Sequence, residues 1–188
     1  MHDQWILYML VLPLLYVSIS DLFYRKIYNH LIYLLLVMVL VNVFLFYLDM
    51  GSYAGLTVRQ IQSQFELSVL GAVAVLIIGF ALFAIGQMGA GDVKLMAVLC
   101  LLLGGENLVT FLLLTALAGG VLVFFMPFVR VIEFRGAKWI LNISAWFPFL
   151  KIPVPDAAYT NSPTTTGLPY GIAISIGAVL SLLTPLTH

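Results

Sequence analysis

Charge is what this sequence has least of. Its 188 residues include eight Lys and Arg and eight Asp and Glu, 9% of the chain with no net charge. A soluble domain carries roughly 25% charged residues, so a water-facing surface all round is excluded. The chain is 63% hydrophobic and reads as an integral membrane protein whose first partner is the lipid bilayer. No basic patch is present, so no nucleic-acid partner is expected. The one cysteine, Cys100, excludes a disulfide framework and a CxxC zinc site. It reads as a small apolar residue, buried or facing lipid. His30 has no second His or Cys near it, and His2 and His188 are terminal. Neither a metal nor a cofactor is expected. Met1-His2-Asp3-Gln4 lacks the positive n-region of a cleaved signal peptide, so the first apolar run is expected to stay as a span.

What the chain does have is apolar runs. Trp5 to Ser20 is the first, closed by the charged turn Asp21-Leu22-Phe23-Tyr24-Arg25-Lys26. Tyr28 to Leu48 is the second, long enough to cross ~30 Å of hydrocarbon. A polar loop from Asp49 to Glu66 leads to a third run, Ser68 to Ile85. The fourth, Leu95 to Leu103, is short. Even from Asp92 to Gly104 a helix covers only ~20 Å, so it starts within the membrane or crosses a thinned region. Gly104-Gly105-Glu106-Asn107 predicts a tight turn before the fifth run, Leu108 to Val129. In that run Gly119-Gly120 reads either as a close-packing point or as a flexible one. Residues 130–167 form the longest polar connection. Arg135, Lys138, Trp139, Trp146 and Phe147 predict an interfacial segment in its first half, and Pro153 to Thr166 an irregular loop. Leu168 to Pro185 is the last run. The fold expected is all-α, one polytopic membrane domain over residues 1–188 with about six transmembrane helices.

Counting bases orients it. With six spans, Arg25, Lys26, Lys94, Arg130, Arg135, Lys138 and Lys151 fall on one side and Arg59 alone on the other. The positive-inside rule puts the seven in the cytoplasm, with both termini outside and 130–167 a cytoplasmic loop.

Of the eight acids, Asp3, Asp49, Glu66 and Glu106 fall in or beside outer loops, and Glu133 and Asp156 in the long cytoplasmic loop. All six read as solvated loop charges. Asp21 and Asp92 differ. Each sits where an apolar run meets the cytoplasmic face, so a six-helix bundle holds them at one depth. Two carboxylates within a few ångströms share one proton and titrate as a unit. The ionised member can take a proton from a water attacking a peptide carbonyl, and the protonated member can donate to the carbonyl oxygen. A proton relay in a transporter, or a non-enzymatic scaffold for assembly, are the competing readings of the same pair.

Asp92 lies in Gly89-Ala90-Gly91-Asp92-Val93-Lys94. Gly89 and Gly91 permit unusual torsions and close approach of another chain. The alternative reading is a helix-breaking turn with Asp92 as N-cap. Lys94 is expected to snorkel to the headgroups, or to tune the charge of the pair. Arg25 and Lys26 read as topology determinants, and Asn29 as a bridge or cap at the start of the second span. Pro169, Tyr170 and Gly171 start the last span at the depth of the two aspartates and are placed to wall the site.

These residues together resemble a known family. Gly89-Ala90-Gly91-Asp92-Val93-Lys94 looks like the GxGDxK signature of the type IV prepilin peptidases, within the GxGD membrane aspartic proteases. Asp21, Arg25 and Ile27-Tyr28-Asn29 match that family's other stretch, in which an aspartate precedes a base and Ile-Pro-Asn, with Tyr28 where the family has Pro. Leu168-Pro169-Tyr170-Gly171 is similar to its Pro-Tyr-Gly motif. The resemblance runs from about Leu10 to Leu180. It implies a bacterial inner-membrane, multi-pass endopeptidase in which Asp21 and Asp92 are catalytic. The implied reaction cuts the leader of a prepilin or pseudopilin at the cytoplasmic face. The family's long form carries a four-cysteine zinc region tied to N-methylation. The single cysteine makes this chain similar to the short form of Flp-type (Tad) pili, with neither zinc nor methyl transfer expected.

Overall fold

A computed structural model of the chain describes residues 3–47, 58–146, 149, 153–159 and 168–184. Their regular structure is helical: α1 (Asp3–Tyr24), α2 (Asn29–Tyr47), α3 (Val58–Ala84), α4 (Ala90–Phe124), α5 (Met126–Trp146) and α6 (Tyr170–Leu183), with a 3₁₀ turn at Asp156–Ala158. The all-α expectation holds for these residues. The stretches Leu7–Tyr24, Gln62–Ala84 and Ala90–Phe124 are long and apolar enough to cross a membrane, and Asn29–Phe44 and Tyr170–Leu183 are shorter apolar helices.

α4 is two segments rather than one rod. Gly104 has φ 80 and ψ 165, a region that is essentially glycine-only. Before it, Val93 packs at Gly79 of α3, and directly after it Gly105 reaches Leu67 and the backbone of Gln64. Numbers there rise in α4 as they fall in α3, so the two run antiparallel. After it, Leu108 packs at Gly71, back toward the middle of α3. The chain therefore reverses at Gly104, where the Gly-Gly-Glu-Asn sequence predicts a turn. Gln64 secures the reversal: its side-chain oxygen accepts the Glu106 N–H at 2.9 Å, and its amide donates to the Glu106 carboxylate.

The core lies between α1, α2, α4 and α6, with Leu10, Leu14, Leu35, Leu95, Leu99, Cys100, Phe111 and Ile174 buried. The outward faces are apolar too: Leu12, Ile77, Phe80 and Val109 are all exposed. An apolar outside removes the usual gain from hiding Leu, so helix association rests on close packing and small residues. A Cβ on Gly177 of α6 would lie 2.1 Å from Thr115 Oγ1 of α4. α1 and α6 run antiparallel, with Ser175 Oγ 3.3 Å from the Leu14 carbonyl oxygen and Gly171 bonded to Asp21.

Several boundaries depart from expectation. α1 does not stop before Asp21 but runs on to Tyr24, which puts Asp21 in its last turn. α3 begins at Val58, ten residues before the apolar run, because its polar turns bond internally, with Gln62 Nε2 donating to Glu66 Oε1 at 3.0 Å. The fifth run ends at Phe124, and Pro127 lies in the first turn of a new helix, α5, where its missing N–H costs nothing. So the first half of the 130–167 connection is helical. The second half has packed structure at Ala157 and Ala158, buried against Ala137. Residues 49–57, half of the expected polar loop, lie outside the described residues, as do Phe147, Lys151 and residues 160–167.

Candidate active site

One end of the bundle gathers the end of α1 and the starts of α2, α4 and α6. There Asp21, Arg25, Lys26, Ile27, Tyr28, Asn29, Gly89, Ala90, Gly91 and Asp92 line a single open cavity of about 370 Å³. The two aspartates, 71 positions apart in the sequence, share it. They lie near enough for their charges to act on one another.

Asp21 is buried, 6% exposed. Its Oδ2 accepts the N–H of Gly171 at 2.7 Å. That amide is in the first turn of α6, whose free N–H groups and dipole favour a carboxylate. Pro169 is the N-cap of α6 and is fully buried. A Cβ at Gly171 would stand 2.9–3.1 Å from the Asp21 carboxyl and its Cβ, so only glycine fits. Below it, Ser175 Oγ donates to the Gly171 carbonyl at 2.7 Å. Pro-Tyr-Gly is thus the seat of Asp21, with the half-buried Tyr170 packed against the core.

Asp92 is not the N-cap of α4. Gly89 is, with φ −76 and ψ 142, and Asp92 at the third helical position reaches back to accept the Gly89 N–H at 3.2 Å. That is the carboxylate half of a capping box. A Cβ on Gly89 would lie 2.7 Å from Asp92 Oδ2. The torsions at Gly89 are ordinary extended ones, so its glycine serves contact rather than conformation. Gly91 does the same for the loop after α1: its Cβ would lie 3.0 Å from that of Ile27.

Arg25, directly after α1, has φ 51, a left-handed conformation costing a non-glycine residue about 1–2 kcal/mol. Its Nη2 bonds Glu133 Oε2 of α5 at 2.7 Å. Glu133 is 2% exposed, so the expectation of a solvated loop charge is wrong for this acid. Sequence reasoning missed Glu133 as a neighbour of the site. The available signal was a lone acid among Val131, Ile132 and Phe134, the only one between Glu106 and Asp156. Ser20 Oγ donates to the Lys26 carbonyl at 2.7 Å and steadies the loop. Asn29, exposed, starts α2 at the cavity wall. Lys94 is not brought to the cavity. It lines a separate apolar hollow with Leu76, Ile77, Phe80, Phe83, Ala90 and Val93.

A model of the type IV leader peptidase family matches residues 8–124. The chain belongs to that family. Family membership implies a peptidase, and the apolar helices agree with a membrane protein. The matched region runs from α1 through α4 and contains both aspartates. Gly171 lies beyond it and is tied to it by the bond to Asp21. No curated protein and no solved structure matches the chain.

Proposed function

We propose that this type IV leader peptidase family member is an aspartic endopeptidase in which Asp21 and Asp92 act as a pair on a prepilin or pseudopilin leader. The observation that carries the reading is that two carboxyl groups from distant parts of the chain line one open cavity. Each has one oxygen held by a backbone N–H, from Gly171 or Gly89. A water between them loses its proton to the ionised carboxylate as it attacks the scissile carbonyl, and the protonated partner donates to the carbonyl oxygen. Collapse of the tetrahedral adduct passes a proton to the leaving nitrogen. Gly89 and Gly91 line the same cavity and let Asp92 and Ile27 close against the backbone there.

The chain reversal at Gly104 supports six spans, since α4 then crosses twice, and with six spans the count of bases argues for a cavity at the cytoplasmic face. Flp-type prepilins are the substrates to which the sequence resemblance points. The test is co-expression with such a prepilin. Asp21→Asn and Asp92→Asn are each expected to abolish leader removal while the protein accumulates in the membrane. Normal processing by either variant overturns the reading.

A further inference from the structure

Three features meet near Asp21, where the end of α1 lies against α5. Arg25 is left-handed. Glu133 is a carboxylate taken almost wholly out of solvent. α5 approaches α1 so closely that a Cβ on Gly136 would lie 2.5 Å from Phe23 Cε1. A buried ion pair is poor evidence of a gain in stability, and strain of this kind gathers at functional sites. Gly136 and Glu133 are three residues apart on α5, so they share a face. The contact at Phe23 therefore sets how near Glu133 comes to Arg25. Arg25 is four residues after Asp21, lines the same cavity, and acts electrostatically on Asp21, as Glu133 does. The groups form a sequence of charges, Asp21, Arg25, Glu133, with the guanidinium bonded to the last.

We infer that Glu133 is a positioning residue for the aspartate cavity: it takes up the Arg25 guanidinium and keeps it from neutralising Asp21. The inference rests on Asp21 and Asp92 being the reacting pair. Without an anion on α5, Arg25 turns to the nearest carboxylate. A guanidinium salt-bridged to Asp21 fixes that carboxylate in one ionisation state and occupies the cavity. The cost of burying Glu133 and of bending the chain at Arg25 then serves the site rather than the fold.

The test is a double-mutant cycle read as steady-state cleavage of a prepilin by the full-length protein in lipid nanodiscs. Glu133→Gln keeps the side-chain shape and removes the charge. Its kcat is expected to fall about tenfold or more with KM little changed, because a cation a few ångströms from a carboxylate moves its proton affinity by a unit or more. Arg25→Gln, which alters the cavity wall itself, sets the reference rate for a site without the cation. The double variant Arg25→Gln/Glu133→Gln is expected to recover to the Arg25→Gln rate, since no orphaned cation remains. A merely structural Glu133 gives losses that multiply instead.

Wild-type cleavage by Glu133→Gln, an inactive Arg25→Gln, or a double variant as poor as the product of the singles overturns the inference. If Glu133→Gln does not accumulate, the double variant decides, because it buries no lone charge. Its failure to accumulate or to cleave where Arg25→Gln does both also overturns it. The peptidase reading stands or falls separately, on Asp21→Asn and Asp92→Asn. If those are inactive and Glu133→Gln is normal, only the role of Glu133 is lost.

Discussion

The N–H of Gly171 donates to Oδ2 of Asp21 at 2.7 Å across 150 residues of sequence, and the same glycine has no room for a side chain. Gly171→Ala places a methyl group 2.9 Å from that oxygen and 3.0 Å from the Asp21 Cβ. The carboxyl group must swing away or α6 must retreat. A displacement of about 1 Å at a reacting group costs roughly a hundredfold in rate. Prepilin cleavage by Gly171→Ala is expected to fall by about that factor with membrane accumulation retained, measured by leader removal and quantitative blotting. Activity within a few-fold of wild type contradicts the seating of Asp21 described above.

The two glycines of the Gly-Ala-Gly-Asp stretch meet different neighbours and are expected to fail differently. At Gly89 an added Cβ presses on Asp92 itself, 2.7 Å from Oδ2. At Gly91 it presses on the Ile27 side chain, 3.0 Å away, with the Ile27 carbonyl at 3.7 Å. Overpacking of this size costs about 1–3 kcal/mol. Gly91→Ala is therefore expected to lose activity that Ile27→Ala restores in part, while Gly89→Ala is not rescued by Ile27→Ala. Cleavage rates of the four variants settle the point. Rescue of both, or of neither, shows that the glycines act through something other than these contacts.

How much of this was legible beforehand depended on how local each determinant is. The reversal at Gly104 is written in four consecutive residues, Gly104-Gly105-Glu106-Asn107, and was legible. The start of α3 was not, because its first turns are polar and hold together by Gln62–Glu66 bonding rather than by apolar character. Asp21 and Asp92 stood out because acids are so few at the ends of apolar runs. Glu133 did not. Its meaning comes from Arg25, 108 positions earlier, and from a close approach at Gly136 that no periodicity announces. The glycines at 89 and 91 were legible as exceptional, but not for what they meet: the torsions at Gly89 are ordinary, and the close neighbours are the chain's own Asp92 and Ile27.

Lys94 separates motif from geometry. It follows Asp92 by two positions in the signature stretch, yet the side chain is exposed and lines the hollow between α3 and α4. An exposed side chain that snorkels contributes little beyond its local solvation, and exposed substitutions fall within about 0.5 kcal/mol. Lys94→Gln is expected to cleave prepilin within about twofold of wild type, with Asp92→Asn assayed beside it as the inactive reference. A tenfold loss in Lys94→Gln places its charge in the reaction after all.

Helix packing away from the cavity gives a test of the fold that does not depend on activity. Gly177 of α6 faces Thr115 of α4 so closely that a Cβ would lie 2.1 Å from Oγ1 and 2.8 Å from both the backbone N and Cα of Thr115. The hydroxyl can rotate away, but the backbone atoms cannot. Gly177→Ala is therefore expected to destabilise by about 1–3 kcal/mol, and trimming the partner with Thr115→Ala is expected to relieve only part of the loss. Gly120, by contrast, has nothing within 4 Å of its Cβ position, and it lies in the helical second segment of α4. Its neighbour Gly119 meets Ala173 at an ordinary 3.9 Å, so neither member of the Gly119-Gly120 pair is needed as a hinge. Gly120→Ala is expected to be neutral or to gain up to about 1 kcal/mol from helix propensity. Thermal unfolding in detergent, followed by circular dichroism, ranks Gly120→Ala at or above wild type and Gly177→Ala below it. The reverse order means that α4 and α6 do not pack in this register. The Gly171–Asp21 bond, six residues earlier on α6, would then lose its support as well.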